Sequence, residues 1–194
     1  MTTIAVRNGI VAYDTRMTQG GLIHPQRFDK AVVSVKHQAI FAGAGVPGQI
    51  LAMFRLLEQA HALPWEDPDL DLSVCNEWDN FEVMVLTKDG RIYNFEDNNW
   101  FYATGEFHAC GSGSMAAISA MHAGANAIDA VKIAAKVDCN TGEPVKFIDI
   151  NWIPERPRMA NFAGLDLAVN ADDLVLAPAP VKSAKKPVSK GRAK

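Results

Sequence analysis

The alternation of apolar and polar positions predicts mostly β-structure in the first third of the chain, followed by a helix. Asn8-Gly9 is a dipeptide typical of tight hairpins, and a turn rich in Thr, Gln and Gly follows Asp14. The expected elements are two strands within 3–14, β-runs over 28–35 and 37–42, and a helix over 49–62. Pro47 stands just before this helix, where proline suits the first turn.

The second half of the chain combines another hairpin with two helices. Thr87-Lys88-Asp89-Gly90 is a turn between apolar runs, and alanine-rich segments downstream favour helix. The expected elements are strands over 81–86 and 91–95, a β-segment over 100–109, helices over 115–124 and 127–137, and a strand over 145–152. Blocks of strands separated from blocks of helices indicate an α+β protein with antiparallel sheets and external helices.

Composition indicates one globular domain over 2–176 and a basic, flexible tail over 177–194. The net charge is −3, and six Lys and Arg lie between 181 and 194, so the other 180 residues carry about −9. An acidic body argues against nucleic-acid binding. No apolar run is long enough for a membrane span, no leader-like segment opens the sequence, and three cysteines fit a reducing compartment, so we expect a cytoplasmic protein. A docking arm for an acidic partner is the alternative for the tail.

Several familiar motifs fit the sequence poorly. Residues 43–48 match G-x-G-x-x-G, but hairpin-linked strands precede them and the acids Glu66 and Asp67 stand in a Pro-rich loop, which argues against a dinucleotide site. The five histidines show no metal-ligand spacing, and no G-x-S-x-G motif occurs. We therefore expect no metal and no cofactor.

The second residue, Thr2, offers a different kind of chemistry. A threonine hydroxyl needs a base, and a threonine at the amino terminus carries its own base in its α-amine. Removal of Met1, which cells perform when the next residue is small, would create this group. Lys30 in an apolar run and Asp14 at the end of an apolar strand are candidates for a buried ion pair beside it. The alternative for both is an ordinary place at the surface.

The same residues resemble the opening of proteasome β-subunits and of the bacterial HslV-type ring peptidase. The matching segments are Thr2-Thr3-Ile4, Gly9 to Gly20 including Asp14 and Thr18, Lys30, Ala42-Gly43-Ala44-Gly45, Gly111-Ser112-Gly113-Ser114, and Asp138-Cys139-Asn140-Thr141-Gly142. They occur in the order of the family and cover roughly residues 2–150. Val46-Pro47-Gly48 and Thr141, which is serine in many members, depart from the family pattern.

The resemblance implies a role for each matching residue. Thr2 is the expected nucleophile, and Asp14 and Lys30 are the pair that tunes it. Gly45 is expected to supply the oxyanion N–H, and Gly43 a roomy pocket floor next to the scissile bond. The residues expected to support the terminal amine are Ser112, Asp138 and Thr141. Thr18 is expected to pair with the main chain of the substrate.

At the level of the whole molecule, the resemblance implies a four-layer αββα sandwich, stacked homo-oligomeric rings, polypeptide substrates and an ATP-driven unfoldase as a candidate partner. The activity it implies is that of a threonine-type endopeptidase. Two alternatives remain open: a catalytically silent ring that serves as a scaffold, and an N-terminal nucleophile amidase that acts on a small molecule.

Overall fold

The computed structural model describes residues 2–78 and 81–155, with the side chains of residues 76 and 77 left out. Met1, the end of the expected domain at residue 176 and the basic tail lie outside the described residues. Within the described part, the strands are β1 (Ile4–Arg7), β2 (Ile10–Asp14), β3 (Arg16–Gln19), β4 (Leu22–Arg27), β5 (Ala31–Ser34), β6 (Ala39–Ala44), β7 (Glu82–Thr87), β8 (Ile92–Glu96), β9 (Asn99–Ala103), β10 (Phe107–Cys110) and β11 (Val145–Asp149). The helices are α1 (Pro47–Gln59), α2 (Ser114–His122) and α3 (Ala127–Val137), with 3₁₀ turns at Ser73–Glu77 and Ile150–Trp152.

The strands form antiparallel sheets, so the fold is α+β as the sequence indicates. The first sheet has the order β10-β1-β2-β11 and the second the order β5-β6-β7-β8-β9, while β3 and β4 pair separately. Asn8 and Gly9 both have positive φ, at 52° and 77°, which is the geometry of the tight hairpin turn expected between β1 and β2.

Three hydrophobic clusters fill the spaces between these elements. Ile4 and Val6 of β1 belong to the same cluster as Ile40 of β6, so this cluster joins the faces of the two large sheets. A second joins the other face of the β6-containing sheet to α1, and a third joins Ala5 and Ala12 to α2 and α3. The alternation of side chains along β1 thus separates two cores, and the arrangement is compatible with a sandwich. No helix among the described residues is long and apolar enough to cross a membrane.

Three expected segments differ from the structure. The segment after Asp14 is a hairpin and not only a turn, because Gly20 and Gly21 both adopt positive φ between β3 and β4. The expected segment 100–109 divides at residues 104–106 into β9 and β10, which belong to different sheets. The last strand ends at Asp149, where the aspartate carboxylate accepts the N–H of Asn151 and begins a 3₁₀ turn.

Candidate active site

Thr2 lies at the amino-terminal end of β1 and is packed, with 2% of its surface exposed. The β1–β10 register pairs Ile4 with Cys110, and its continuation brings Thr2 opposite Ser112. The Ser112 Oγ lies 3.4 Å from the Thr2 carbonyl oxygen. The chain is therefore packed at Thr2.

The two threonines at this end point to opposite faces of the sheet. Thr3 Oγ1 contacts Thr141, on the side where α3 packs, whereas Ile4 belongs to the core between the sheets. The alternation of side chains directs Thr2 to the same face as Ile4. A Cβ added to Gly111 would collide with the Thr2 carbonyl and lie 3.2 Å from Ala44 Cβ, so Thr2 meets the end of β6.

Asp14 and Lys30 form a buried ion pair beside this chain end. The Lys30 Nζ lies 2.8 Å from Asp14 Oδ1, and the two residues are 2% and 0% exposed. Asp14 Oδ1 also accepts the N–H of Thr3 at 2.9 Å, while Oδ2 accepts the N–H groups of Arg16 at 3.0 Å and Gly142 at 3.1 Å. Every face of this carboxylate is satisfied, so the structure places both residues in the interior rather than at the surface.

Lys30 connects this ion pair to the second sheet. Its Nζ donates a second hydrogen bond to the carbonyl of Arg16 at 2.8 Å, and its carbonyl accepts the N–H of Gly43 at 2.8 Å. Burial lowers the pKa of the Lys30 ammonium, although the charge of Asp14 works in the opposite direction. Asp14 Oδ1 therefore joins the Lys30 ammonium to the N–H of Thr3, and the lowered pKa means that Lys30 gives up its proton more readily than a surface lysine.

Gly43 and Gly45, at the end of β6, lie in different surroundings. Gly45 has a φ of 124°, a backbone conformation that residues other than glycine rarely adopt. A Cβ at Gly43 would lie 2.5 Å from Ile50 Cγ2, so Ile50 of α1 fills the space on that side of the glycine, and the roomy pocket floor stays a prediction. The departure Val46-Pro47-Gly48 is accommodated by a helix that begins at Pro47.

Ser112, Asp138 and Thr141 form a cluster around one carboxylate oxygen. Asp138 Oδ2 accepts the hydroxyl of Ser112 at 2.7 Å and that of Thr141 at 2.5 Å. Partial burial works to raise the pKa of Asp138, but the hydroxyls of Thr141 and Ser112 and the N–H of Asn140 outweigh it and leave the pKa below 3.8. Asp138 is therefore an anion at neutral pH. In the described chain, this cluster contacts the Thr2 carbonyl and the Thr3 hydroxyl.

This lowered pKa gives a prediction for stability. Because the pKa of Asp138 is lower in the folded protein, its contribution is complete above the unfolded value of about 3.9 and is lost as the pH falls through the folded value. Thr141→Val removes a main cause of the lowering. We expect the wild type to be more stable than this variant at pH 7, and the difference in melting temperature to shrink towards about pH 2. A difference that is independent of pH would contradict this assignment.

Thr18 of β3 lies near the loop after α3, which contains Asp138 and Thr141 of the cluster. Its Oγ1 is 3.5 Å from Asn140 Oδ1, and Arg16 Nη1 donates to the carbonyl of Cys139 at 3.1 Å. The guanidinium of Arg16 also packs where a side chain on Gly142 would lie. The structure thus brings Thr18 to the edge of the site.

Two contacts at the site involve residues that sequence reasoning did not select. Glu82 at the start of β7 accepts the N–H of Gly111 at 3.0 Å, and so joins the second sheet to the turn that carries Ser112. Thr3, to which the sequence analysis gave no role, has a buried side-chain partner in Thr141. The side-chain alternation that separates Thr3 from Thr2 was a usable signal for Thr3, whereas nothing near Glu82 in the sequence indicates its role.

Gly111 provides a test of the close approach to Thr2. Its φ is 85°, and an added Cβ would meet the Thr2 carbonyl. Gly124 is a matched control, with φ of 98° and no atom within 4 Å of an added Cβ. We expect Gly111→Ala to lower the melting temperature well beyond Gly124→Ala, because both variants carry the backbone strain of about 1 kcal/mol and only the first adds a collision. Equal losses of melting temperature in the two variants would mean that the backbone at Thr2 can move away from an added Cβ at little cost.

Other features of the described residues lie away from this site. One cavity of about 220 Å³ is lined by Trp65 and Tyr93, and another of about 370 Å³ by Phe107 and His122. Within residues 2–78 and 81–155, no group of three or more His, Cys, Asp or Glu side chains is arranged to hold a metal ion. The residues gathered around Thr2 are therefore the main candidates for chemistry in the described part.

Two solved structures are similar in fold to this chain. Two structures of BPH from Thiobacillus denitrificans are similar to it, each at 18% sequence identity, with TM-scores of 0.55 and 0.54. The similarity covers 77% of this chain and 98% and 97% of the two BPH chains, and the first of these is a complex with epoxomicin. No protein-family model and no curated protein matches the sequence. At this identity the likeness concerns the fold alone.

Proposed function

We propose that this protein is a threonine-type endopeptidase of the proteasome kind, with Thr2 as nucleophile after removal of Met1. The observation that carries the proposal is the buried Asp14–Lys30 pair beside the packed Thr2, on a fold shared with BPH. A buried lysine and carboxylate are costly to keep in a protein interior, and such groups concentrate at functional sites. The bound epoxomicin in the BPH complex adds support for a peptidase-like hydrolase.

The reaction would proceed in two stages. The Thr2 α-amine takes the hydroxyl proton as Oγ forms a bond with the peptide carbonyl carbon, and the peptide C–N bond breaks as the same proton passes to the departing amine. Water then attacks the resulting ester, releases the new carboxylate and restores the Thr2 hydroxyl. The positive charge of Lys30 disfavours protonation of the amine, and the Gly45 N–H is proposed to stabilise the oxyanion.

The cluster around Asp138 has a defined place in this proposal. Ser112 has one hydroxyl proton, and the shorter, charge-assisted bond to Asp138 uses it. The lone pairs of Ser112 Oγ are then available to accept an N–H from the amine of Thr2, whose carbonyl lies 3.4 Å away. Asp138 and Thr141 would keep Ser112 in this orientation. Thr18, at the edge of the site, is proposed to pair with the extended substrate main chain.

The assembly and fold class follow from the same proposal. We propose that the protein adopts the four-layer αββα arrangement and forms stacked homo-oligomeric rings that enclose the sites. Polypeptides are the proposed substrates, an ATP-driven unfoldase is the candidate partner, and the cytoplasm is the proposed location. Because Ile50 fills the space at Gly43, we propose that the pocket next to the scissile bond favours a smaller side chain than an open floor would.

The proposal can be tested with purified protein and short fluorogenic peptides. We expect hydrolysis that epoxomicin abolishes, together with a particle size by light scattering that corresponds to rings. Assembled rings without hydrolysis of any peptide in a varied library would favour the silent scaffold. A dimer that releases ammonia from small amides and leaves peptides intact would favour the amidase.

A further inference from the structure

The side chain of Thr3 has a partner that is far away in the sequence. Thr3 is fully buried, and its Oγ1 lies 2.5 Å from the Oγ1 of Thr141, which is also fully buried. Thr141 in turn lies 2.5 Å from Asp138 Oδ2. A short chain of hydrogen bonds therefore runs from the second threonine of the protein to the anion that also holds Ser112.

The chemistry of these groups fixes the direction of each hydrogen bond. An ionised carboxylate only accepts hydrogen bonds, so Thr141 donates its single hydroxyl proton to Asp138. The contact between Thr141 and Thr3 then requires Thr3 to be the donor. With its proton committed, the Thr3 hydroxyl is poorly suited to act as a nucleophile, so the two adjacent threonines differ in chemistry as well as in position.

Thr3 is also held by hydrogen bonds of its backbone and by close packing around its hydroxyl. Its N–H donates to Asp14 Oδ1 at 2.9 Å, and its carbonyl accepts the N–H of Asp14 at 3.2 Å. A Cβ added to the buried Gly113 would collide with Thr3 Oγ1 and lie 3.0 Å from Thr141 Oγ1. The N–H, the carbonyl and the hydroxyl of this one residue are therefore all fixed, immediately next to Thr2.

We propose that Thr3 is a positioning residue, whose hydroxyl anchors the chain end to Thr141 and so aims Thr2 towards Lys30. The inference rests on the proposed function of Thr2. Chain ends fray unless they are tied down, and a nucleophile must be held in a narrow range of orientations. After loss of Met1, Thr3 is the first residue with neighbours on both sides, so its anchor limits the rotation of the catalytic residue.

The test compares Thr3→Val, which keeps the branched shape and removes the hydroxyl, with Thr3→Ser, which keeps the hydroxyl. The full-length protein is treated with epoxomicin, and the rate of adduct formation on Thr2 is followed by mass spectrometry. We expect Thr3→Val to slow this rate about tenfold or more, and Thr3→Ser to stay within about threefold of wild type. The melting temperature of Thr3→Val should change little, because Thr141 retains its bond to Asp138 and the Thr3 backbone retains its bonds to Asp14.

The outcomes separate this inference from the proposed function. A wild-type protein that forms no adduct on Thr2 would overturn the proposed function, and the inference with it. A wild-type protein that reacts, together with a folded Thr3→Val that reacts at the same rate, would overturn the inference alone. If Thr3→Val fails to fold, Thr141→Val removes the acceptor and leaves Thr3 native. The same slowing is then expected, and an unchanged rate overturns the inference.

Discussion

Replacing Thr2 by alanine is expected to lower the kcat of peptide hydrolysis by about 10³-fold or more, because the proposed mechanism forms the acyl intermediate on the Thr2 hydroxyl. The fold should remain intact, since alanine fits a β-strand end and the neighbouring hydrogen bonds of Thr3 and Asp14 do not involve the Thr2 side chain. Alanine is also small enough to allow removal of Met1. Initial rates with a fluorogenic peptide measure the effect.

Two further variants test whether the loss of activity in Thr2→Ala is specific to the Thr2 hydroxyl. Thr104 is exposed, so Thr104→Ala is the control for a threonine lost away from the site and should leave the rate unchanged. Thr2→Ser retains both a hydroxyl and an α-amine and should keep measurable activity. If Thr2→Ala hydrolyses peptides at the wild-type rate, Thr2 is not the nucleophile and another group must carry the reaction.

Replacing Lys30 by methionine is expected to cost both activity and stability. Methionine fills a similar volume but leaves Asp14 as a buried carboxylate whose charge partner is gone. Removing one member of a buried ion pair costs about 3–5 kcal/mol in the free energy of unfolding. The backbone N–H groups around Asp14 remain, which favours the lower part of this range. Urea unfolding measures this free energy, and the peptide assay measures the loss of turnover.

The chain offers a matched control in a second Lys–Asp pair at a similar distance. Lys146 Nζ lies 2.6 Å from Asp29 Oδ1, but the two side chains are 38% and 44% exposed. Solvent screens such a pair, so Lys146→Met should cost less than about 1 kcal/mol and leave turnover unchanged. Equal losses of stability in the two variants would show that the burial of Lys30 does not govern its contribution.

Local patterns in the sequence were sufficient to predict much of the fold. The Asn8-Gly9 turn and the helix over 127–137 were predicted correctly, because positive φ and helical spacing are properties of neighbouring residues. The hairpin formed by β3 and β4 was missed although Gly20-Gly21 is a hairpin signal. Its strands are largely exposed and include Pro25, so they lack the apolar alternation of a packed strand.

The candidate site was harder to predict because its contacts join residues far apart in the sequence. The sequence pattern alone favoured a surface position for Asp14 and Lys30, and only the family resemblance selected them for the site. Thr3 and Thr141 are separated by 138 positions, and no local pattern indicates that their hydroxyls meet. The space filled by Ile50 at Gly43 likewise depends on how α1 crosses β6, which the residue type at position 43 does not specify.

The most direct measurement is intact mass spectrometry of the purified protein before and after treatment with epoxomicin, followed by mapping of the modified residue. The proposed mechanism requires a mature chain that lacks Met1 and, after treatment, one adduct per chain located on Thr2. A chain that retains Met1 has no free threonine amine. That result, or an adduct located on any other residue, would contradict the assignment of Thr2 as the catalytic nucleophile.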